Sequence, residues 1–274
     1  MPLHRRTLYD VFPMLPRRPF GVNVHEVWAD NLTDKLRDLT LFARRVHYVA
    51  VKVHYPGVVH GAGRSHHQTT PEERYAAVKA DVDALKPIQL GLAVCTYDGE
   101  LAAWEFNLRD FHPAADPHDA RSVAYLAGRG LDFDRHREHG IAMADLATAL
   151  DWSGLIGRPG MSWITQGGAY HAAYLLKVLR RGAPLPGDMA WFLEEVRGSI
   201  GDVYDVARIA GDCSMPVGLE CIARTLDVAP PLLSPQLAGG GSVLLVQAFI
   251  TLKFVRCPGN LDRYRGLLKG LQVL

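Results

Sequence analysis

Two side chains able to do chemistry, Lys52 and His54, stand two positions apart in the stretch Tyr48–Tyr55. Valines alternate with them along this stretch, which predicts a β-strand whose neighbouring side chains point to opposite faces of a sheet. Lys52 and His54 therefore share one face. An ammonium can bind an anion and an imidazole can bind a metal, so this polar face is the first candidate site.

Other motifs carry less chemistry. Two groups among the twelve histidines have a spacing that matches no known set of metal ligands, and we predict no metal site from them: His54, His60, His66 and His67, and then His136 with His139. The four cysteines form no CxxC pair, so we expect reduced thiols in the core: Cys95, Cys213, Cys221 and Cys257.

Two glycine-rich segments could be taken for phosphate loops. Gly61-Ala62-Gly63 lacks the third glycine of a dinucleotide fingerprint, because position 66 is histidine. Gly239-Gly240-Gly241 could offer backbone N–H groups to a phosphate, but no lysine follows it. We therefore expect this second segment to be a flexible lead into the last helix.

Hydrophobic periodicity and turn residues outline the elements that position these residues. Asn31 is expected to cap a helix that runs to about Val46. Further helices are predicted at about 74–85, 141–152, 169–181, 188–197, 218–226 and 242–256, and strands at about 48–55, 88–97, 101–108, 162–165 and 203–206. In this order the strands come first, and helices with short strands between them follow. The order predicts an α/β fold with a central mixed sheet flanked by helices.

Composition sets broad limits on function. The 274 residues are 48% hydrophobic and 22% charged, which is ordinary for a globular protein, and we expect one domain. The net charge of +1 gives no field over the whole surface, so any nucleic-acid groove must be local. The most apolar run, Val243–Val255, is interrupted by polar residues and looks too short to span a bilayer. We expect a soluble intracellular protein with no membrane partner.

An ordered series of segments between Val24 and Val255 resembles the Caf/Pop poly(A) ribonucleases, the deadenylase subunits of the Ccr-Not complex in the DEDD exonuclease superfamily. The matching segments are Glu26–Leu32, Tyr48–Ala50, Tyr55–Val59, Ile88–Leu92, Trp104–Asn107, Gly130–Phe133, Gly140–Ile141, Ser153–Leu155, Tyr170, Tyr174–Lys177, Tyr204–Val206, Gly218–Leu219, Ala238–Gly239 and Ser242. The resemblance implies an RNase H-like exonuclease fold, with residues 1–22 as an N-terminal extension and 23–274 as a single domain.

The residues that carry catalysis in this family are replaced. The two carboxylates of its first strand fall on Lys52 and His54, the third acid falls on His171, and the fourth falls on Gly241. The histidine that acts on the attacking water falls on Gln236. The family uses Mg²⁺ or Mn²⁺, for which carboxylate oxygens are the preferred ligands. We therefore expect no cofactor and no functional catalytic residue.

Charge explains why these replacements should abolish metal binding. Four acids would contribute −4, whereas Lys52 with two neutral histidines and a glycine contributes +1. An ammonium ~4 Å from Mg²⁺ would be repelled by roughly 8 kcal/mol at an effective dielectric constant of ~20. Three interpretations of this face stay open: drift after the loss of catalysis, a cationic patch that binds RNA phosphate, and a site for zinc or copper on His54 and His171.

The resemblance also implies partners and a location. The Ccr-Not scaffold, other mRNA-decay proteins and poly(A) RNA are the expected partners, in the nucleus and the cytoplasm. An apolar residue that helps to dock the scaffold in the family falls on Asp151, where a carboxylate would weaken an apolar interface. The sequence thus predicts a non-catalytic homologue that acts through protein or RNA binding in mRNA turnover. The alternative is an active poly(A) 3′-exoribonuclease that uses displaced acids such as Asp202 or Asp205.

Overall fold

A six-stranded mixed sheet forms the centre of the protein in the computed structural model, which describes residues 22–60, 69–228, 237–257 and 261–272. The strands are β1 (Val24–Val27), β2 (Val46–His54), β3 (Gln89–Thr96), β4 (Leu101–Asn107), β5 (Ser162–Thr165) and β6 (Asp202–Asp205). Their order across the sheet is β1-β4-β3-β2-β5-β6. Strand β3 is antiparallel to its two neighbours, β2 and β4, and the outer strands pair in parallel.

Helices flank this sheet on both sides. They are α1 (Leu32–Ala43), α2 (Pro71–Ala84), α3 (Ala120–Gly128), α4 (Phe133–His139), α5 (Met143–Trp152), α6 (Ala169–Leu179), α7 (Met189–Ile200), α8 (Val206–Asp212), α9 (Leu219–Thr225) and α10 (Ala238–Thr251). A π-helical turn, Leu252–Arg256, continues α10. Thr70 and Glu73 form a capping box that starts α2, and Asp188 caps α7.

Helix α10 lies across β2, β3 and β4 on one face of the sheet, and its first turn approaches the strands very closely. A Cβ atom added to Gly91 on β3 would stand 2.0 Å from the carbonyl oxygen of Ala238. Only glycine at position 91 allows this contact between the helix start and the sheet. The opposite face carries the alternating valines of β2, which pack in the larger hydrophobic core.

The start of α10 differs from the expectation. Gly239, Gly240 and Gly241 are not a flexible lead but lie buried inside the first turn, so they are not a free phosphate loop. Asn31 also differs, because its side chain does not cap α1. Its Oδ1 accepts a hydrogen bond from the Trp28 backbone at 2.9 Å instead. The other predicted elements are confirmed within a few residues at each end.

Helix α10 and the turn after it, Ala238–Arg256, form a 19-residue segment long and apolar enough to cross a membrane. This corrects the expectation from the shorter run Val243–Val255. Since 72% of its most apolar stretch is buried within the fold, the segment also has the character of a core helix.

The thiols of Cys213 and Cys257, 44 residues apart in sequence, lie 3.3 Å from each other.

Candidate functional site

A cleft of 640 Å³ opens beside the end of β2, where Lys52 and His54 stand. Helix α3 contributes the opposite wall and the first turn of α6 contributes His171. The remaining lining residues are Val53, Tyr55, Gly57, Val58, Asp119, Arg121, Ser122, Tyr125 and Leu126. The cleft thus brings the polar face of β2 together with a helix that the sequence did not predict.

The stem of Lys52 packs directly on Gly241 in the first turn of α10. A Cβ atom added to Gly241 would stand 2.4 Å from Cδ of Lys52 and 2.8 Å from its Cε. The lysine stem therefore fills the space that a side chain at position 241 would need. Burial lowers the pKa of Lys52, Arg129 lowers it further, and Glu220 acts in the opposite direction.

His171 holds the end of β2 in place. Strand β5 pairs with β2 only as far as Ala50, so the backbone N–H of Val53 lies beyond that pairing. This N–H donates to Nδ1 of His171 at 3.0 Å. Because Nδ1 is the acceptor, the neutral ring carries its proton on Nε2. Burial, with smaller contributions from Lys52 and His54, holds the pKa of His171 well below its usual value of 6.5.

His54 is also neutral near pH 7. Burial lowers its pKa to about 3, and the positive charges of Lys52 and Arg129 add to this effect. A hydrogen bond with the backbone of Leu237 opposes it. The buried Nε2 atom has no hydrogen-bond partner among the described residues. Lys52 therefore shares the cleft with two uncharged imidazoles.

The structure thus brings together four of the positions predicted to form the site: Lys52, His54, His171 and Gly241. Gln236 lies outside the described residues. Asp151 lies elsewhere, on the surface near the end of α5, where its carboxylate forms an ion pair with Arg181 at 2.8 Å. Trp152 beside it is 75% exposed.

Sequence reasoning missed a buried carboxylate, Glu105 on β4. Glu105 and Lys52 flank Gly91 in the same row of the sheet, on the face covered by α10. Its Oε2 accepts a hydrogen bond from the backbone N–H of Gly239 at 2.7 Å, so it caps the start of α10. Burial raises the pKa of Glu105 to about 7. The sequence signal for this residue was a single charged side chain in the mostly apolar strand LAAWEFN.

Sequence reasoning also missed Tyr125 and Arg129, which lie on α3 and at its end, across the cleft from β2. Tyr125 on α3 is 56% exposed, and the guanidinium of Arg129 lies 4.7 Å from the centre of its ring. The charge of Arg129 reaches both Lys52 and His54, whose pKa values it lowers. Neither residue stands out in the sequence, because only the fold of α3 brings them to β2.

The residues around Lys52 do not fit a pair of Mg²⁺ or Mn²⁺ ions. These ions require several oxygen ligands, whereas the equivalent positions present an ammonium, two imidazoles and a glycine. A zinc or copper site is not supported either, since Nδ1 of His171 already accepts from Val53. Within the described ranges no three His, Cys, Asp or Glu side chains are grouped so that they could hold a metal.

The proposed displaced acids are engaged in structural contacts. Asp205 is fully buried, and its two carboxylate oxygens accept hydrogen bonds from four backbone N–H groups at 2.7–3.0 Å, those of Gly167, Gly168, Ala207 and Lys269. Asp202, at the other end of β6, forms an ion pair with Arg265 at 3.4 Å. The structure therefore gives no support to catalysis by these two acids.

The histidines outside the cleft also have structural roles or no shared site. His136 is buried, and its Nδ1 hydrogen-bonds with the carbonyl oxygen of Leu108 at 3.0 Å. His139 is exposed on the same short helix, near Glu138. His60 is exposed, and His66 and His67 lie outside the described residues.

A mixed sheet of this order, flanked by helices and with a cleft at the end of its longest strand, defines the class of RNase H-like exonuclease folds. A family model described as CAF1 family ribonuclease matches residues 27–149. A probable CCR4-associated factor 1 homolog of Arabidopsis thaliana, homolog 7, is 30% identical over 92% of this chain and 94% of its own length. The chain belongs to the CAF1 family of ribonucleases.

Further comparisons agree with this assignment. The poly(A) ribonuclease pop2 of Schizosaccharomyces pombe is 30% identical over 87% of this chain and 72% of its own. The Mg²⁺- and Mn²⁺-bound structure of S. pombe Pop2p superposes with a TM-score of 0.83 at 30% identity, over 90% of this chain and 99% of that one. Yeast CAF1, co-crystallised with the NOT1 MIF4G domain, has the same fold, with a TM-score of 0.74 at 24% identity over 93% of this chain and 100% of that one.

Proposed function

We propose that this protein is a non-catalytic member of the CAF1 family, which acts in mRNA turnover by binding rather than by hydrolysing poly(A). The single observation that carries the proposal is the contact between Lys52 and Gly241. The lysine stem occupies the space of the fourth metal-binding acid, and its ammonium brings positive charge to the position of the first. Two divalent cations would have to displace this side chain and overcome its charge.

Incubation of the purified protein with 5′-labelled oligo(A) and Mg²⁺ or Mn²⁺ tests the proposal. We expect no shortening of the RNA and no heat of metal binding by calorimetry. The matched control restores the family residues in one chain: Lys52→Asp, His54→Glu, His171→Asp, Gln236→His and Gly241→Asp. This variant should bind Mn²⁺.

Metal-dependent shortening by the unmodified protein would overturn the proposal if it were abolished by EDTA and reduced by a cleft substitution such as His171→Ala. Contaminating nuclease would be unaffected by that substitution. The displaced-acid alternative makes the opposite prediction, namely calorimetric Mn²⁺ binding by the unmodified chain.

We also propose that the protein docks on the Ccr-Not scaffold, in the nucleus and the cytoplasm. The complex of yeast CAF1 with the NOT1 MIF4G domain supports this, together with a feature of the present surface. Trp152 is exposed beside Asp151, whose carboxylate is paired with Arg181. A carboxylate that is already paired opposes docking less than a bare one would, and an exposed tryptophan is a typical anchor.

Titration with a purified NOT1 MIF4G domain tests this docking. We expect binding that Trp152→Ala weakens by at least about tenfold, as truncation of an interface anchor does. Trp191→Ala is the matched control, because Trp191 is 70% exposed at the start of α7. Absence of binding, or equal losses for the two variants, would contradict docking through this surface. Staining of the protein in cells would test the location.

A further inference from the structure

We infer that the cleft beside Lys52 binds the phosphate group of a nucleotide unit without a divalent cation, with the ammonium of Lys52 supplying the positive charge. This inference deepens the proposed function and rests on it. The ligand is a phosphate next to a base, which a free nucleotide and an RNA strand both provide. Lys52 would thus replace the metal ions as the group that attracts phosphate.

Among the described residues, the ammonium of Lys52 is not directly paired with an acid. Its stem is fixed against Gly241, and the side chain is half-buried on the wall of the cleft. Within the described part of the chain its ammonium donates no hydrogen bond and forms no ion pair. A partly desolvated cation of this kind is stabilised by an anion that enters the cleft.

The other charged groups around the cleft favour an anion as well. Arg129 is near enough to act on Lys52, and Arg121 lies on the cleft wall. Asp119 is the acid on that wall, but its carboxylate accepts hydrogen bonds from the backbone N–H and the hydroxyl of Ser122 at 2.9 and 2.6 Å. Glu220, which does not line the cleft, acts on Lys52 less than burial but more than Arg129. The cleft wall itself therefore carries Lys52 and Arg121 as its basic residues, and the carboxylate of its acid, Asp119, is held by Ser122.

One of the two neutral histidines, His171, fits this role too. His171 accepts from Val53 through Nδ1, so its Nε2 carries a proton and is an uncharged donor. His54 adds no second donor, because its ring donates to the backbone of Leu237 and the Nε2 atom, which has no partner among the described residues, is therefore an acceptor. A phosphate oxygen accepts a hydrogen bond from the Nε2–H of His171, whereas a divalent cation would be repelled by Lys52.

A base has a surface to stack on at the opposite wall. Tyr125 is 56% exposed in the cleft, and Arg129 lies over its ring. An exposed tyrosine beside an arginine is the kind of platform on which bases of any sequence stack. This second contact distinguishes a nucleotide from inorganic phosphate, because only the nucleotide can use both walls.

Binding measured in excess EDTA tests the inference. The probes are AMP by calorimetry and 5′-fluorescein-labelled oligo(A) by polarisation, each also displaced by inorganic phosphate. We expect binding that weakens as salt rises, is not strengthened by Mg²⁺, and falls about 10- to 100-fold in Lys52→Gln. Lys52→Arg should retain most of it, and Tyr125→Ala should weaken AMP but not inorganic phosphate. Lys35→Gln, on α1 outside the cleft, is the matched control.

Each result of these binding measurements leads to a different conclusion about the cleft. Binding of AMP alone assigns the site to free nucleotides, and binding of oligo(A) that AMP displaces assigns it to RNA. No binding in EDTA, binding that requires Mg²⁺, or equal effects of Lys52→Gln and Lys35→Gln would overturn the inference. If Lys52→Gln does not fold, Arg129→Gln should weaken binding in the same direction. Shortening of oligo(A) in Mg²⁺ would overturn the proposed function instead, and the EDTA result would still decide this inference.

Discussion

The backbone N–H of Val53 donates to Nδ1 of His171 at 3.0 Å, and this bond joins the end of β2 to the first turn of α6. It gives His171 a role in folding that does not depend on any reaction. His171→Ala leaves the buried N–H without its partner, which should lower the free energy of unfolding by about 1–3 kcal/mol. His139→Ala, at an exposed position, should change it by less than about 0.5 kcal/mol. Urea denaturation measures both, and equal effects would contradict the role of this bond.

The neutral state of His54 and His171 predicts loss of stability in acid. Burial holds both pKa values below 6.5, so the unfolded chain binds more protons than the folded protein as the pH falls below about 6.5. Stability should therefore decrease from that pH downwards, towards the pKa of His54 at about 3. The double variant His54→Gln, His171→Gln should have a flatter profile, measured by urea denaturation at several pH values. An identical slope in the variant would contradict this origin.

The raised pKa of Glu105 predicts that stability decreases as the pH rises over part of this range. Its pKa is raised to about 7 by burial, so the folded protein holds a proton that the unfolded chain loses near pH 4.5. Its contribution to stability is fully present below about pH 4.5 and is lost as the pH rises to about 7, by no more than about 3 kcal/mol. Relative to the unmodified protein, Glu105→Gln should gain stability over this interval and stay level above it. A constant difference across pH 4.5–7 would show that the carboxyl does not titrate there.

The contact between Lys52 and Gly241 predicts a coupling between the two positions. Gly241→Ala should lower stability by about 1–3 kcal/mol, because its Cβ overlaps the lysine stem. In a Lys52→Ala background most of this loss should disappear, which a double-mutant cycle in urea would measure. Gly198→Ala in α7 is the control, since its Cβ meets nothing within 4 Å and should be neutral or stabilising. Additive effects would contradict the contact.

Substitution of Asp205 should lower stability more than substitution of Asp202, which lies on the same strand. In Asp205→Asn the new amide group faces backbone N–H donors, so we expect a loss of about 3 kcal/mol in the free energy of unfolding. Asp202→Asn disrupts only a partly exposed ion pair and should cost less than about 1 kcal/mol. Thermal and urea unfolding of both variants provide the comparison. Equal losses would contradict the buried role.

The sequence predicted the parts of the fold that depend on local patterns. The alternation in β2 and the apolar spacing of α5, α6 and α7 are properties of single segments, and the resemblance to the family placed Lys52 beside Gly241. The predicted start of α10 was wrong because the three glycines before it have low helix propensity when considered alone. Their burial follows from close packing on Gly91, which is a contact between distant segments. Tyr125 and Arg129 were missed for the same reason.

The fit of Lys52 against Gly241 makes the present arrangement hard to reverse one step at a time. An acid introduced at position 241 alone collides with the lysine, and an acid introduced at position 52 alone faces two neutral imidazoles and an empty glycine position. Neither single change assembles a set of metal ligands around the cleft. If the protein is non-catalytic as proposed, a metal site at this place would need several simultaneous substitutions, because each of the two residues limits which side chain the other position can accept.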